Sequence, residues 1–225
     1  KKINDIESFD ERLKEMELAL DKKTRELKII AEKLSEKRKA TFSKIEQYVI
    51  NQLNSLGMPN AVFKIANDTL AEFSPSGTDK INFLFSANKN GEPQNIAKVA
   101  SGGEISRFML SIKSLLSKSS GLPTIIFDEI DTGVSGEIAD KMGGIMLQMS
   151  EKMQVVNITH LPQVAAKGDT HYLVYKDEFA EFTSTRIKKL TDDERLKEIA
   201  KMLSGESMSQ QALENAKVLL QKQIN

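Results

Sequence analysis

Thr124-Ile125-Ile126-Phe127-Asp128-Glu129 and, one helix later, Val155-Val156-Asn157-Ile158-Thr159-His160 are the stretches from which the fold can be read. Two short apolar runs of strand length flank a helical segment predicted over about residues 136–150. Strands joined by a helix of that length pair in parallel and build an α/β sheet. Such sheets gather ligands beyond the carboxyl ends of their strands. Asp128 and Glu129 stand at that end of the first strand, and His160 at that end of the second. One carboxylate there can hold Mg²⁺ while its neighbour polarises an attacking water. The same pair can equally be an ordinary strand end facing solvent. Adjacent strands bring His160 within reach of Glu129. Between them Asp131-Thr132-Gly133-Val134-Ser135-Gly136 is a small-residue loop able to approach a neighbouring subunit; by itself it reads as a turn.

Upstream, Ala100-Ser101-Gly102-Gly103-Glu104 opens a helix predicted over about 103–117. A helix start offers unpaired N–H groups and the positive dipole end, and two glycines let a bulky anion approach the backbone. Ser101 is either a helix cap or a phosphate ligand. Residues 61–65, 69–73 and 80–86 read as antiparallel strands with turns at Asn67-Asp68 and Ser74-Pro75-Ser76-Gly77. Residues 171–176 and 181–189 read as a hairpin, and helices over about 192–203 and 209–221 close the chain. Leu203-Ser204-Gly205-Glu206 is a helix stop. Met142, Met146, Met149 and Met153, at helical spacing, are core packing. His171, at the start of a later strand and expected to have no acidic partner, reads as structural.

Residues 1–56 lack proline and glycine. Ile6, Leu13, Leu20, Leu27 and Leu34 recur every seven residues, with Phe9, Met16 and Ile30 three residues after the first, second and fourth of them. Such a seam predicts a coiled coil, although Lys23 and Lys37 interrupt it. Gly57-Met58-Pro59-Asn60 ends the helix, which divides the chain into a coiled-coil helix over 1–56 and a globular lobe over 57–225.

The 32 basic and 32 acidic residues cancel, so global charge argues for neither nucleic acid nor membrane. The chain has no cysteine, which excludes disulfides and thiol catalysis and suits a reducing cytoplasm. No apolar run approaches the ~20 residues that span a bilayer, so no membrane partner is expected. Lys1-Lys2-Ile3-Asn4 begins in mid-pattern, as a segment of a longer chain would.

Taken in order, these features resemble the C-terminal lobe of an ABC-type ATPase head: Ser101–Glu104 as signature motif, Ile125–Glu129 as Walker B strand, Asp131–Gly136 as D-loop and His160 as switch histidine. A coiled coil running into the lobe is similar to SMC-like proteins rather than to transporter subunits. The longer strings Phe83–Asn88, Lys98–Arg107, Phe127–Gly133 and Thr159–Ala166 resemble the RecN family of bacterial DNA-repair proteins, over essentially all of the chain from about residue 30.

That resemblance implies a cytoplasmic, nucleoid-associated ATPase that takes ATP and Mg²⁺ and pairs head to head through ATP, with double-stranded DNA or DNA ends as its partner. Glu129 and His160 would be catalytic, and Asp128 would hold Mg²⁺ through water. Ser101, Gly102, Gly103, Glu104 and Asp131 would bind nucleotide. The chain holds no Gly-x-x-x-x-Gly-Lys-Ser/Thr loop; the resemblance assigns that loop to an N-terminal lobe on the far side of the coiled coil. For DNA, the nine basic and three acidic residues between Lys22 and Lys44 leave a local excess of six positive charges, with Lys37, Arg38 and Lys39 adjacent. This run is either a phosphate-tracking surface or a solvated helix face. The alternative function is a non-catalytic tether whose heads pair without turnover, which would have no use for Glu129 or His160.

Overall fold

A computed structural model of the chain describes residues 2–89, 91–98, 102–118, 121–128, 130–134, 136–177, 184–205 and 208–221. Its elements run α1 (Lys2–Ser55), β1 (Val62–Ser74), β2 (Gly77–Ser86), β3 (Gln94–Asn95), a 3₁₀ turn (Ile96–Lys98), α2 (Gly102–Ser117), β4 (Thr124–Asp128), α3 (Gly136–Ser150) and β5 (Gln154–Ile158). They continue with α4 (Pro162–Ala165), β6 (Tyr172–Asp177), β7 (Ser184–Lys189), α5 (Asp192–Ser204) and α6 (Gln210–Gln221).

The helix α1 is 54 residues long. It stops where the sequence requires: Gly57 takes φ 79°, and Met58 N–H donates to Leu53 O at 2.9 Å while Gly57 N–H donates to Asn54 O at 3.3 Å. These paired bonds satisfy carbonyls that a helix end leaves bare. A Cβ on Gly57 would also fall 2.5 Å from Ile138 Cδ1, so that side chain would have to shift to admit one.

The expected turn at Asn67-Asp68 does not form. β1 runs unbroken through both residues and pairs antiparallel with β2, from Val62↔Ser86 to Thr69↔Asp79. The ladder itself accommodates the polar dipeptide: Asn67 Nδ2 donates to Asp79 Oδ1 at 2.9 Å, and Asn82 Nδ2 donates to Asp68 Oδ2 at 3.2 Å. The reversal comes at Ser74–Gly77.

The hairpin tip lies along α1. Ser35 Oγ donates to Asp79 Oδ1 at 2.7 Å, and Arg38 Nη1 donates to Asp79 Oδ2 and to Ser76 O, both at 2.8 Å. These donors, Ser35 foremost, then Arg38 and Asn67, lower the Asp79 carboxyl from 3.8 to about 2. Because the folded value is depressed, this contribution to stability is complete above 3.8 and is lost as pH falls through about 2. Denaturant unfolding of wild type and Asp79→Asn should therefore show a gap that narrows over that interval. A gap of constant size down to the lower pH would mean the carboxylate charge is not what ties hairpin to helix.

Three clusters form the core. Val49, Leu53, Met58, Ala61, Phe63, Phe85 and Phe108 join α1, the hairpin and α2, the Phe108 ring lying 5.2 Å from both Phe63 and Phe85. A second gathers around α3, where Met142, Met146, Met149 and Met153 are buried as their spacing predicts. The third packs α4 against α5 and α6 through Ala166, Ile199, Ala200, Ala212 and Ala216. Thr191 and Glu194 form a capping box at the start of α5. His171 is half-buried before β6; burial, then the Arg195 charge, lowers its pKa, and Glu198 opposes them.

β4 and β5 pair in parallel, as the βαβ reading requires. Their burial departs from expectation. Phe127 packs into the α3 cluster, but Ile126, Val156 and Ile158 are 61%, 41% and 54% exposed. Among the described residues the β4–β5 pair is covered on one face only. The seam of α1 is likewise open: Phe9, Met16, Leu20 and Ile30 stand in solvent, and burial begins at Ala31.

Candidate functional site

The register of β4 and β5 sets the site. Asp128 pairs with Ile158, so the two strands end abreast. Asp128 sits exposed at the end of β4 with no hydrogen bond or ion pair among the described residues. A free carboxylate on a rigid strand end suits a hard cation such as Mg²⁺. No cluster of three His, Asp or Glu forms among the described residues, so other ligands would have to come from bound nucleotide, water or further protein. Glu129 and Ser101 lie outside the described residues.

The loop after β4 is pinned from below. Ile130 and Val134 are buried, and Val134 N–H donates to Asp131 O at 3.1 Å. The Asp131 side chain has no exposed surface. Expected from the resemblance to reach a nucleotide, it points beneath the loop, where the Thr159 hydroxyl donates to its Oδ2. Thr159 Oγ1 in turn accepts from Leu161 N–H at 3.0 Å. One hydroxyl thus ties the loop after β4 to the loop after β5. The ring of His160 is 69% exposed, with Nδ1 3.8 Å from Asp131 Oδ1. Sequence reading gave Thr159 no part. Its only signal was a hydroxyl beside a strand-end histidine.

The start of α2 meets the same loop. A Cβ on Gly103 would lie 3.3 Å from Thr132 O, so the lack of a side chain permits that approach. Among the described residues, a Cβ on Gly102 would meet nothing within 4 Å. Gly102 is therefore bare toward open space, where a helix start can receive an anion. Glu104 is half-buried in the first turn, and its charge complements the dipole.

Of the basic residues singled out, Lys37 and Lys39 are exposed. Arg38 is not free: its side chain is 28% exposed and paired with Asp79. It holds the hairpin to α1, which leaves Lys37 and Lys39 as candidates for phosphate contact.

Comparison with known proteins follows the same lines. No family model matches the chain. A DNA repair protein RecN from Halalkalibacterium halodurans is 36% identical over 222 residues, 97% of this chain and 39% of the relative. One from Rickettsia conorii is 42% identical over 208 residues, 92% of this chain and 37% of the relative. The chain thus spans about two fifths of the length of the curated relatives it matches. Among solved structures, the Smc head domain with a coiled coil and joint from Pyrococcus yayanosii aligns with a TM-score of 0.55 at 16% identity, over 71% of this chain and 29% of that one. A Pyrococcus furiosus Smc head domain with an extended coiled coil aligns at 0.50, also at 16% identity, over 71% of this chain and 38% of that one. At such identity the likeness concerns the fold, which is that of an ABC-type head lobe with its coiled-coil helix.

Proposed function

Since the chain is RecN-like in sequence over almost its whole length and Smc-head-like in fold, we propose that it forms the C-terminal part of an ATP-hydrolysing head in an SMC-like DNA-repair protein. The work of that protein would be double-strand-break repair and recombination. The reading rests chiefly on the common rim: Asp128 and Ile158 in register, with Thr159 and His160 following β5 and Glu129 following Asp128 in the sequence.

Bound Mg²⁺ would neutralise charge on the transferring phosphate. Asp128 would hold it, Glu129 would take the proton of the attacking water, and His160 would contact the γ-phosphate. Ser101, with the Gly102 and Gly103 amides and Glu104, acts on a nucleotide held by a second copy, so that two heads close around ATP. Closure on binding and opening after hydrolysis make ATP a switch.

An N-terminal lobe bearing the phosphate loop completes each head. The bare face of β4–β5 supports this: apolar side chains of the size of Ile126, Val156 and Ile158 gain about 1.5–3 kcal/mol each on full burial, and parallel strands are normally covered on both faces. Duplex DNA is the proposed substrate surface, met in part by Lys37 and Lys39.

One assay tests this reading: ATP turnover by the chain alone and with its N-terminal lobe, with and without duplex DNA. Turnover is expected with both lobes and essentially none with the chain alone. Steady hydrolysis by the chain alone that survives Glu129→Gln would refute the assignment. Neutralising Lys37 and Lys39 should reduce the log-log salt slope of DNA binding by about one for each phosphate left without its cation, and an unchanged slope removes them from the interface.

A further inference from the structure

The floor of this rim holds a carboxylate only half of which is satisfied. Asp131 is fully buried. Its Oδ2 accepts from the Thr159 hydroxyl, whereas Oδ1 is buried and has no hydrogen-bond partner among the described residues. An ionised carboxylate only accepts, and an oxygen taken from water without a donor loses hydration with nothing in return. One donor stands close. His160 Nδ1 is 3.8 Å from Oδ1, about an ångström beyond a charge-assisted hydrogen bond.

The backbone on either side of His160 is fixed while its ring is not. Thr159 is bonded to Asp131 and to Leu161 N–H, and Pro162 is buried at the first turn of α4. The ring, mostly in solvent, is the part of this residue left to move.

We propose that Asp131 is a positioning residue for His160: its Oδ1 accepts the imidazole Nδ1–H and thereby fixes both tautomer and orientation. The neutral ring carries its proton on Nδ1 and turns Nε2 to the open side of the rim. There an imidazolium Nε2–H would donate to an anion while Nδ1–H stays on Asp131. Thr159 keeps the carboxylate from rotating away. Use of this arrangement on a phosphate rests on the function proposed above; the Asp131–His160 pairing does not.

Long-range ¹H–¹⁵N correlation on the ¹⁵N-labelled chain reads the tautomer directly at about pH 8.5, where histidine is neutral. The chain has two histidines, so His171→Gln assigns the signals. The expected result is His160 in the Nδ1–H form, favoured by about tenfold or more, the scale of a charge-assisted bond. Free histidine prefers the opposite form, and Asp131→Asn should move His160 toward it. If that variant does not fold, the wild-type spectrum decides alone. His160 carrying its proton on Nε2 in wild type overturns the proposal, even if the complete head hydrolyses ATP. An Nδ1–H spectrum in a head that hydrolyses none would support the pairing and refute the function.

Discussion

Glu129→Gln in the complete head should leave ATP binding intact and lower turnover by about 10²–10⁴, the usual cost of losing a general base. The amide is nearly isosteric with the carboxylate, and Asp128, exposed at the end of β4, would remain to hold the proposed Mg²⁺. Nucleotide therefore binds, heads close, and the closed pair accumulates. Equilibrium ATP binding and cross-linking of head pairs, measured beside turnover, separate the steps. Lost ATP binding would make Glu129 structural. A head already silent in wild type would favour the non-catalytic tether.

Ser101→Arg tests the other half of the proposed composite site. It should abolish ATP-dependent pairing and reduce turnover by about 10²-fold or more, the scale of removing donors aimed at developing charge. The neighbouring Gly102 faces open space, and a guanidinium beside it would occupy the volume that a partner's γ-phosphate needs. Each head should still bind ATP if, as proposed, the phosphate loop sits on its own N-terminal lobe. Mixing this variant with Glu129→Gln sharpens the test, since both lesions then fall in one of the two composite sites. If the sites act independently, mixed pairs regain some hydrolysis. If closure needs both, there is no recovery, yet pairing of Ser101→Arg heads alone is still lost. Ser101→Arg protein that pairs and turns over like wild type would reduce Ser101–Glu104 to a helix cap.

What the sequence made legible follows from how local each signal is. The helices α1, α2, α3, α5 and α6 announce themselves by apolar spacing and by caps such as Gly57 and Thr191. The βαβ unit follows from two apolar runs and a helix, and its register brings the strand ends level. Asn67-Asp68 misleads because its partners, Asp79 and Asn82, lie across a ladder that local sequence does not display. Arg38 misleads likewise: a cation in a basic run looks free until the hairpin delivers Asp79 to it. The four-residue α4 is too short to show a period. Asp131 belongs to a motif readable as a string, but its burial and its bond to Thr159 arise only when two loops meet. Apolar β4 and β5 residues suggest burial on both faces, whereas among the described residues one face is covered and Ile126, Val156 and Ile158 stay exposed on the other.

The tie between the hairpin tip and α1 has a mechanical consequence. The helix is gripped at two bearings, one at Leu34–Arg38 against Gly77 and Asp79, the other at Val49–Leu56 in the core. At 1.5 Å per residue these lie about 25 Å apart, and about 45 Å of shaft projects beyond the outer one. A shaft held at two points cannot swivel on its terminal glycine. It must follow the body as a lever, so a tilt of about five degrees in the head carries the far end through about 4 Å. Cutting the Arg38–Asp79 tie would move the fulcrum inward and convert that stroke into slack.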